Sequence, residues 1–275
     1  MFVDVLRLLR RMPGLFIPGV LIALLDAIQI WFSLTGETFI APRLLALELV
    51  LMPFAFAAVY GAIKTDDASF MNLVREGSRN YFRVLLPGLL VVFGAVAIAV
   101  VATGLMTVLV QTEVVGLVVL IMMLVIGVFA LLTLFYDTAA VFEEQSVFNS
   151  IRRSVVVVTG APLMAIRYLL VAVLVAVGVG IPLLIIWTAV LYQQLAPITT
   201  MTTAEAAAFT QDQLFSLIGT NGAVITTVLY FVGVLLVFTL MTTYKALLFR
   251  EVAVVGPVEQ EQQGEYDEKG RYYRY

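Results

Sequence analysis

The sequence predicts an all-α, polytopic membrane bundle of six transmembrane helices, and three observations carry that expectation. Of 275 residues, 62% are hydrophobic and 13% charged, and the mean hydropathy is +1.04. A soluble domain is about half apolar and roughly a quarter charged, so a water-soluble globule of this composition would lack the polar surface to cover itself. Six continuous apolar segments reach the roughly 20 residues a helix needs to cross a hydrocarbon core about 30 Å thick. The Lys and Arg residues then fall almost wholly on one side of those segments.

The first segment, Pro13–Leu34, follows Arg7, Arg10 and Arg11 as a signal peptide would. Its length exceeds an ordinary signal core and no small-x-small site closes it, so it is read as a span. The second is Leu44–Ile63. Each of these two carries one carboxylate, Asp26 and Glu48. The other four, Val84–Val110, Val114–Tyr136, Tyr168–Leu191 and Ala223–Tyr244, contain no Asp, Glu, Lys or Arg and insert on their own hydrophobicity. Pro53 and Pro182 lie inside spans, where neighbouring groups can re-satisfy the carbonyls that proline frees. No period-two alternation is present, which excludes a β-barrel.

Six crossings put both termini on the same side as residues 64–83 and 137–167. Fifteen of the sixteen Lys and Arg lie there, with only Arg43 opposite. By the positive-inside rule that side is the cytoplasm. The expected location is therefore the cell membrane, multi-pass, with both termini cytoplasmic.

The basic stretches resemble one another. Ser69-Phe70-Met71-Asn72-Leu73-Val74-Arg75 aligns with Ser146-Val147-Phe148-Asn149-Ser150-Ile151-Arg152, and Arg10 with Pro18-Gly19 aligns with Arg79 with Pro87-Gly88. Three parallel units follow, 1–63, 64–136 and 137–248, each an amphipathic helix ahead of two spans. Phe2, Val5, Leu9 and Met12 form one apolar stripe. Phe70, Val74 and Tyr81 form a second, opposite Asn72, Arg75, Arg79 and Arg83. Phe148, Ile151 and Val155 form a third beside Arg152 and Arg153. Such helices either lie in the headgroup layer or pack as connectors on the floor of the bundle. Residues 1–255 make the membrane domain, and the acidic, Gln- and Gly-containing stretch 256–275 is expected to be disordered.

Tyr136-Asp137-Thr138-Ala139-Ala140-Val141-Phe142-Glu143-Glu144-Gln145-Ser146, leading into Ile151-Arg152-Arg153-Ser154, resembles the signature of a broad group of prokaryotic six-helix membrane proteins. That group includes the membrane domain attached to glycerophosphoryl diester phosphodiesterases and several uncharacterised families. The resemblance covers residues 130–180 and implies a bacterial or archaeal cell-membrane protein. No phosphodiesterase catalytic domain accompanies it.

Chemistry is narrowed mainly by absences. With no Cys and no His, disulfides, thiolate or imidazole metal sites and a His base are excluded. No nucleophile–base spacing stands out, so no enzyme, catalytic residue, metal or cofactor is expected, and the charge does not point to nucleic acid. Asp26 lies about 12 Å below Leu34, and Glu48 about 10 Å below Ala41, at 1.5 Å per residue. The pair sits at one depth on consecutive antiparallel helices. It is either a shared-proton or cation site, or two acids satisfied by a hydroxyl or Arg43, and packing is the preferred reading. Arg75, Arg79, Arg83, Arg152 and Arg153 are candidate anionic-lipid contacts, against the plainer reading as topogenic charge. Ala95, Ala99 and Thr103 offer a small-residue face for a neighbouring helix. In the loop 193–222, Thr202-Thr203-Ala204-Glu205 has capping-box spacing for a helix 206–218 that Gly219 would stop. The first functional expectation is a non-enzymatic scaffold or accessory subunit, engaging lipid through its amphipathic helices and other membrane subunits as partners. The alternative is a small proton- or cation-coupled transporter using Asp26 and Glu48.

Overall fold

The computed structural model describes residues 1–36, 39–109, 115–202 and 209–253, together with the dipeptides Glu265–Tyr266 and Tyr272–Tyr273. It is an α-helical bundle with six helices long and apolar enough to cross a membrane. The two dipeptides pair antiparallel; otherwise the acidic tail lies outside the described residues.

Helix α1 (Phe2–Arg11) ends where Met12 leaves helical geometry ahead of Pro13, and a short 3-10 turn leads into α2 (Phe16–Leu34). Helix α3 (Ala41–Thr65) closes on Asp66 in the left-handed conformation. Its Pro53 lacks an N–H and disturbs the preceding turn. The carbonyl it leaves without a helical partner is that of Leu49; the adjacent Val50 carbonyl accepts the Tyr81 hydroxyl at 3.1 Å. Helix α4 (Phe70–Leu109) differs from expectation: the amphipathic stretch and the span form one 40-residue helix. Ser69 starts it, its backbone N–H bonded to Asp67 at 2.8 Å and its hydroxyl accepting from Asn72.

Helix α5 (Val115–Leu132) is followed by a turn and the short α6 (Tyr136–Phe142), then α7 (Val147–Gly160) and α8 (Pro162–Val190). Helix α9 (Tyr192–Thr199) precedes the last helix, α10 (Gln211–Ala253). Gly219 interrupts α10 with φ +62° and ψ −170°, a conformation that glycine reaches without the Cβ clash others would meet. The expected stop is therefore there, although helix resumes at once. In the described residues the outer helix runs from Gln211; the expected start at Ala206 lies outside them. The capping box that begins it is Thr210–Gln213, with Gln213 N–H to Thr210 Oγ1 at 3.3 Å and Thr210 N–H to Gln213 Oε1 at 2.8 Å. The expected box at Thr202–Glu205 falls largely outside the described residues.

Neighbouring helices run in the order α5, α4, α3, α2, α10, α8, with α6 and α7 packed beneath them at the end that carries the cations. The dense core sits in that basic half, where Tyr60, Phe135, Val141, Tyr244, Leu248 and Phe249 are almost completely buried. Close approach depends on small residues. A Cβ on Gly61 would lie 2.5 Å from Glu76 Cβ, and one on Gly19 2.4 Å from Thr239 Oγ1. Away from the basic end, α4, α5 and α8 present long exposed apolar faces, as helices bordered by lipid do. Ala99 and Thr103 are themselves exposed; the α4–α5 contact instead passes through Gly94, under the Phe129 ring.

Two of the three amphipathic stretches turn a partly polar face inward. In α1 the stripe Val5, Leu9, Met12 is buried as expected, but Phe2 is 41% exposed. In α4 the buried residues are Asn72, Leu73, Glu76 and Asn80, whereas Phe70 is 65% exposed and Val74 also points outward. In α7, Ser150 and Ser154 are buried and Phe148 is 75% exposed. Polar side chains can face inward here because partners meet them, as when Asn72 donates to Thr65 Oγ1 at 2.9 Å and to the Asp67 carbonyl at 2.6 Å.

Candidate functional site: two carboxylate centres

The structure brings Asp26 and Glu48 together. Their carboxyl groups lie within hydrogen-bonding reach of each other, one from α2 and one from α3, with Tyr230 of α10 close enough to feel both charges. Both acids are half-buried. Asp26 lies on the wall of an open, mainly apolar cleft of about 680 Å³ between α2, α8 and α10, which Gly180, Leu183, Trp187, Thr226 and Tyr230 help to line. The Trp187 indole N–H donates to Thr226 Oγ1 at 2.8 Å, joining α8 to α10 across it. Arg43 does not satisfy the acids: its guanidinium stacks over the Phe39 ring at 3.2 Å and donates to the Phe39 carbonyl. Among the described residues no cation forms an ion pair with either carboxylate.

A second centre, at the basic end, was not singled out from sequence. Asp137, only 2% exposed, accepts from Lys245 Nζ at 2.7 Å and from the Tyr60 hydroxyl at 3.1 Å, while its other oxygen accepts the Thr138 N–H at 2.7 Å. Three chain segments, the ends of α3 and α10 and the start of α6, are thereby tied to one carboxylate. Ser154 ties α7 to the same corner. It accepts the Phe135 N–H at 2.9 Å and donates to the Leu132 carbonyl at 2.8 Å, satisfying the backbone groups that the α5–α6 break would orphan. A signal for this centre existed: an Asp directly following an apolar span must find a partner, and Lys245 ends another span beside a tyrosine.

The candidate lipid-binding arginines separate. Arg75, Arg79, Arg83 and Arg152 reach the surface of the basic end. Arg153 does not: its side chain is 10% exposed and its Nε sits 2.9 Å from both Glu143 oxygens. The neighbouring Glu144 gathers Lys64 at 2.9 Å, Arg83 at 3.3 Å and Arg79 at 3.9 Å. The hydrogen bond from Lys64, with the charges of Lys64 and Arg83, holds the Glu144 carboxyl below the usual carboxylate range.

Among the described residues no cluster of acids is arranged to hold a metal ion. Six apolar spanning helices knitted at one end by buried ion pairs define a multi-pass, α-helical membrane protein. The chain belongs to the DUF7847 family, a domain of unknown function, whose model matches residues 1–253. No curated protein and no solved structure matches it.

Proposed function

We propose that the protein is a non-enzymatic membrane scaffold or accessory subunit whose basic face lies in the cytoplasm and engages anionic lipid. The supporting observation is the outward aromatic at the start of each amphipathic stretch, with an exposed arginine one turn or so further on. Phe2 precedes Arg7, Phe70 precedes Arg75, and Phe148 precedes Arg152. An exposed Phe is favourable against the acyl boundary, and each Lys or Arg near an anionic leaflet contributes about 1 kcal/mol. Fifteen cations on one face, the likeness of residues 130–180 to prokaryotic six-helix membrane domains, and a prokaryotic cell membrane as the location belong to the same reading. Stepwise delipidation of the full chain from mixed anionic and zwitterionic nanodiscs tests it. Anionic lipid should be retained preferentially, and Arg75→Gln with Arg152→Gln should reduce that preference. Equal retention of both lipids would sink the reading.

The second reading is proton- or cation-coupled transport through Asp26 and Glu48. It is favoured by one feature, the meeting of two uncompensated carboxyls beside an open cleft, since ionisable groups at membrane depth commonly serve a pathway. Substituting both with Asn and Gln and measuring proton- or cation-driven flux in proteoliposomes tests it. A flux unchanged by the double variant would retire the idea.

A further inference from the structure

The corner between α6 and α7 holds more positive charge than it neutralises. Lys64, Arg79 and Arg83 all converge on the Glu144 carboxylate, and among the described residues no other carboxylate lies in ion-pair range of any of them. Three cations against one carboxylate leave two positive charges unbalanced. The cluster is also reachable: the three side chains are 32%, 60% and 38% exposed. Lys64 sits in the last turn of α3, and Arg79 and Arg83 on the part of α4 that leads into its span. The charges therefore lie at headgroup depth.

Two backbone features strengthen the site. Glu144 itself has φ +53°, a conformation that residues other than glycine seldom take, so the fold holds its carboxylate at the cations against a local cost. Two residues later Ser146 begins α7 without a side-chain cap. The first helical residue of α7, Val147, is thus three residues from Glu144, at most about 11 Å of extended chain.

We propose that Lys64, Arg79 and Arg83 form a phosphomonoester-binding site in which Glu144 is a tethered carboxylate that occupies the cations until a phosphate dianion takes its place. With Glu144 displaced, three cations meet the ligand, and the two charges of a phosphomonoester balance them better than the single charge of a phosphodiester lipid. Two guanidinium forks and an ammonium suit its three terminal oxygens. The shared chemistry is the terminal phosphate, whether it sits on a lipid such as phosphatidic acid or is free in solution. This deepens the proposed engagement of anionic lipid and rests on it.

The test is lipid binding to the purified full chain in phosphatidylcholine nanodiscs, read by native mass spectrometry with increasing phosphatidic acid or phosphatidylglycerol. Phosphatidic acid should bind about tenfold more tightly than phosphatidylglycerol, and Arg79→Gln or Lys64→Gln with Arg83→Gln should remove that advantage. Glu144→Gln should do the opposite and tighten phosphatidic acid binding, a gain that damaged folding would not produce. Competition by millimolar inorganic phosphate identifies the soluble source, and its failure to compete identifies the lipid. Equal binding of the two anionic lipids, insensitive to these substitutions, would overturn the site while leaving general anionic-lipid engagement intact. No preference for either over phosphatidylcholine would overturn both. Weaker binding in Glu144→Gln would overturn the carboxylate's role as competitor.

Discussion

Asp137 and Asp26 are both aspartates on apolar helices of one bundle, yet their surroundings are opposite. Asp137 is sealed in the basic half with an ammonium, a phenol and a backbone N–H on its oxygens. Asp26 is half-buried on a cleft wall, and its near neighbour is another acid, Glu48. A buried carboxylate with a complete set of donors is a structural tie, because removing any donor leaves a costly unpaired group. Two acids without a cation add little to holding the helices together. Their place at that depth is the feature on which the second proposed function rests.

The sharpest way to break this contrast is at Lys245. Lys245→Met strands Asp137 in the core and should cost about 3–5 kcal/mol of stability, measured by thermal or denaturant unfolding in a fixed detergent. Adding Asp137→Asn should recover much of the loss; a single variant as stable as the parent would show that the ion pair is not the tie it resembles. Next comes Ser154→Ala, which leaves the Phe135 N–H and the Leu132 carbonyl without their partner and should cost about 1–3 kcal/mol in the same assay.

On the other side of the comparison, Asp26→Asn with Glu48→Gln should change stability by less than about 1 kcal/mol in either direction. Unfolding of that double variant would make the pair structural and erase the distinction. The smallest effect concerns pH. Glu144 has a depressed folded value, so its contribution is complete above the unfolded carboxylate range and fades as pH falls through the folded value. The acid limb of the stability curve should therefore be shallower in Glu144→Gln, and identical limbs would show that Lys64 and Arg83 gain nothing from it.

Much of the architecture was legible in advance. Span positions follow from runs of apolar residues, and the structure places its six long apolar helices over the same segments, extending α4 back to Phe70 and α10 back to Gln211. The depth match of Asp26 and Glu48 was a matter of counting residues on antiparallel helices. Their meeting was not, since depth leaves rotation about each helix axis undetermined. Nor was the inward face of the amphipathic stretches. Period 3.6 shows that Phe70 and Val74 lie opposite Asn72, but not which side meets protein when lipid offers an apolar environment outside.

Composition and charge alone determined that the chain carries six segments apolar enough to cross a bilayer, with all but one of its cations outside one and the same set of their ends, because transfer of each segment into hydrocarbon is a local, additive property of its residues. Only the tertiary structure decided that Asp137 finds Lys245, 108 positions away, that Arg153 is sealed against Glu143, and that three cations converge on Glu144. Those pairings depend on helix rotation and on backbone approach at glycines such as Gly61, quantities that arise when helices pack and that no single segment contains.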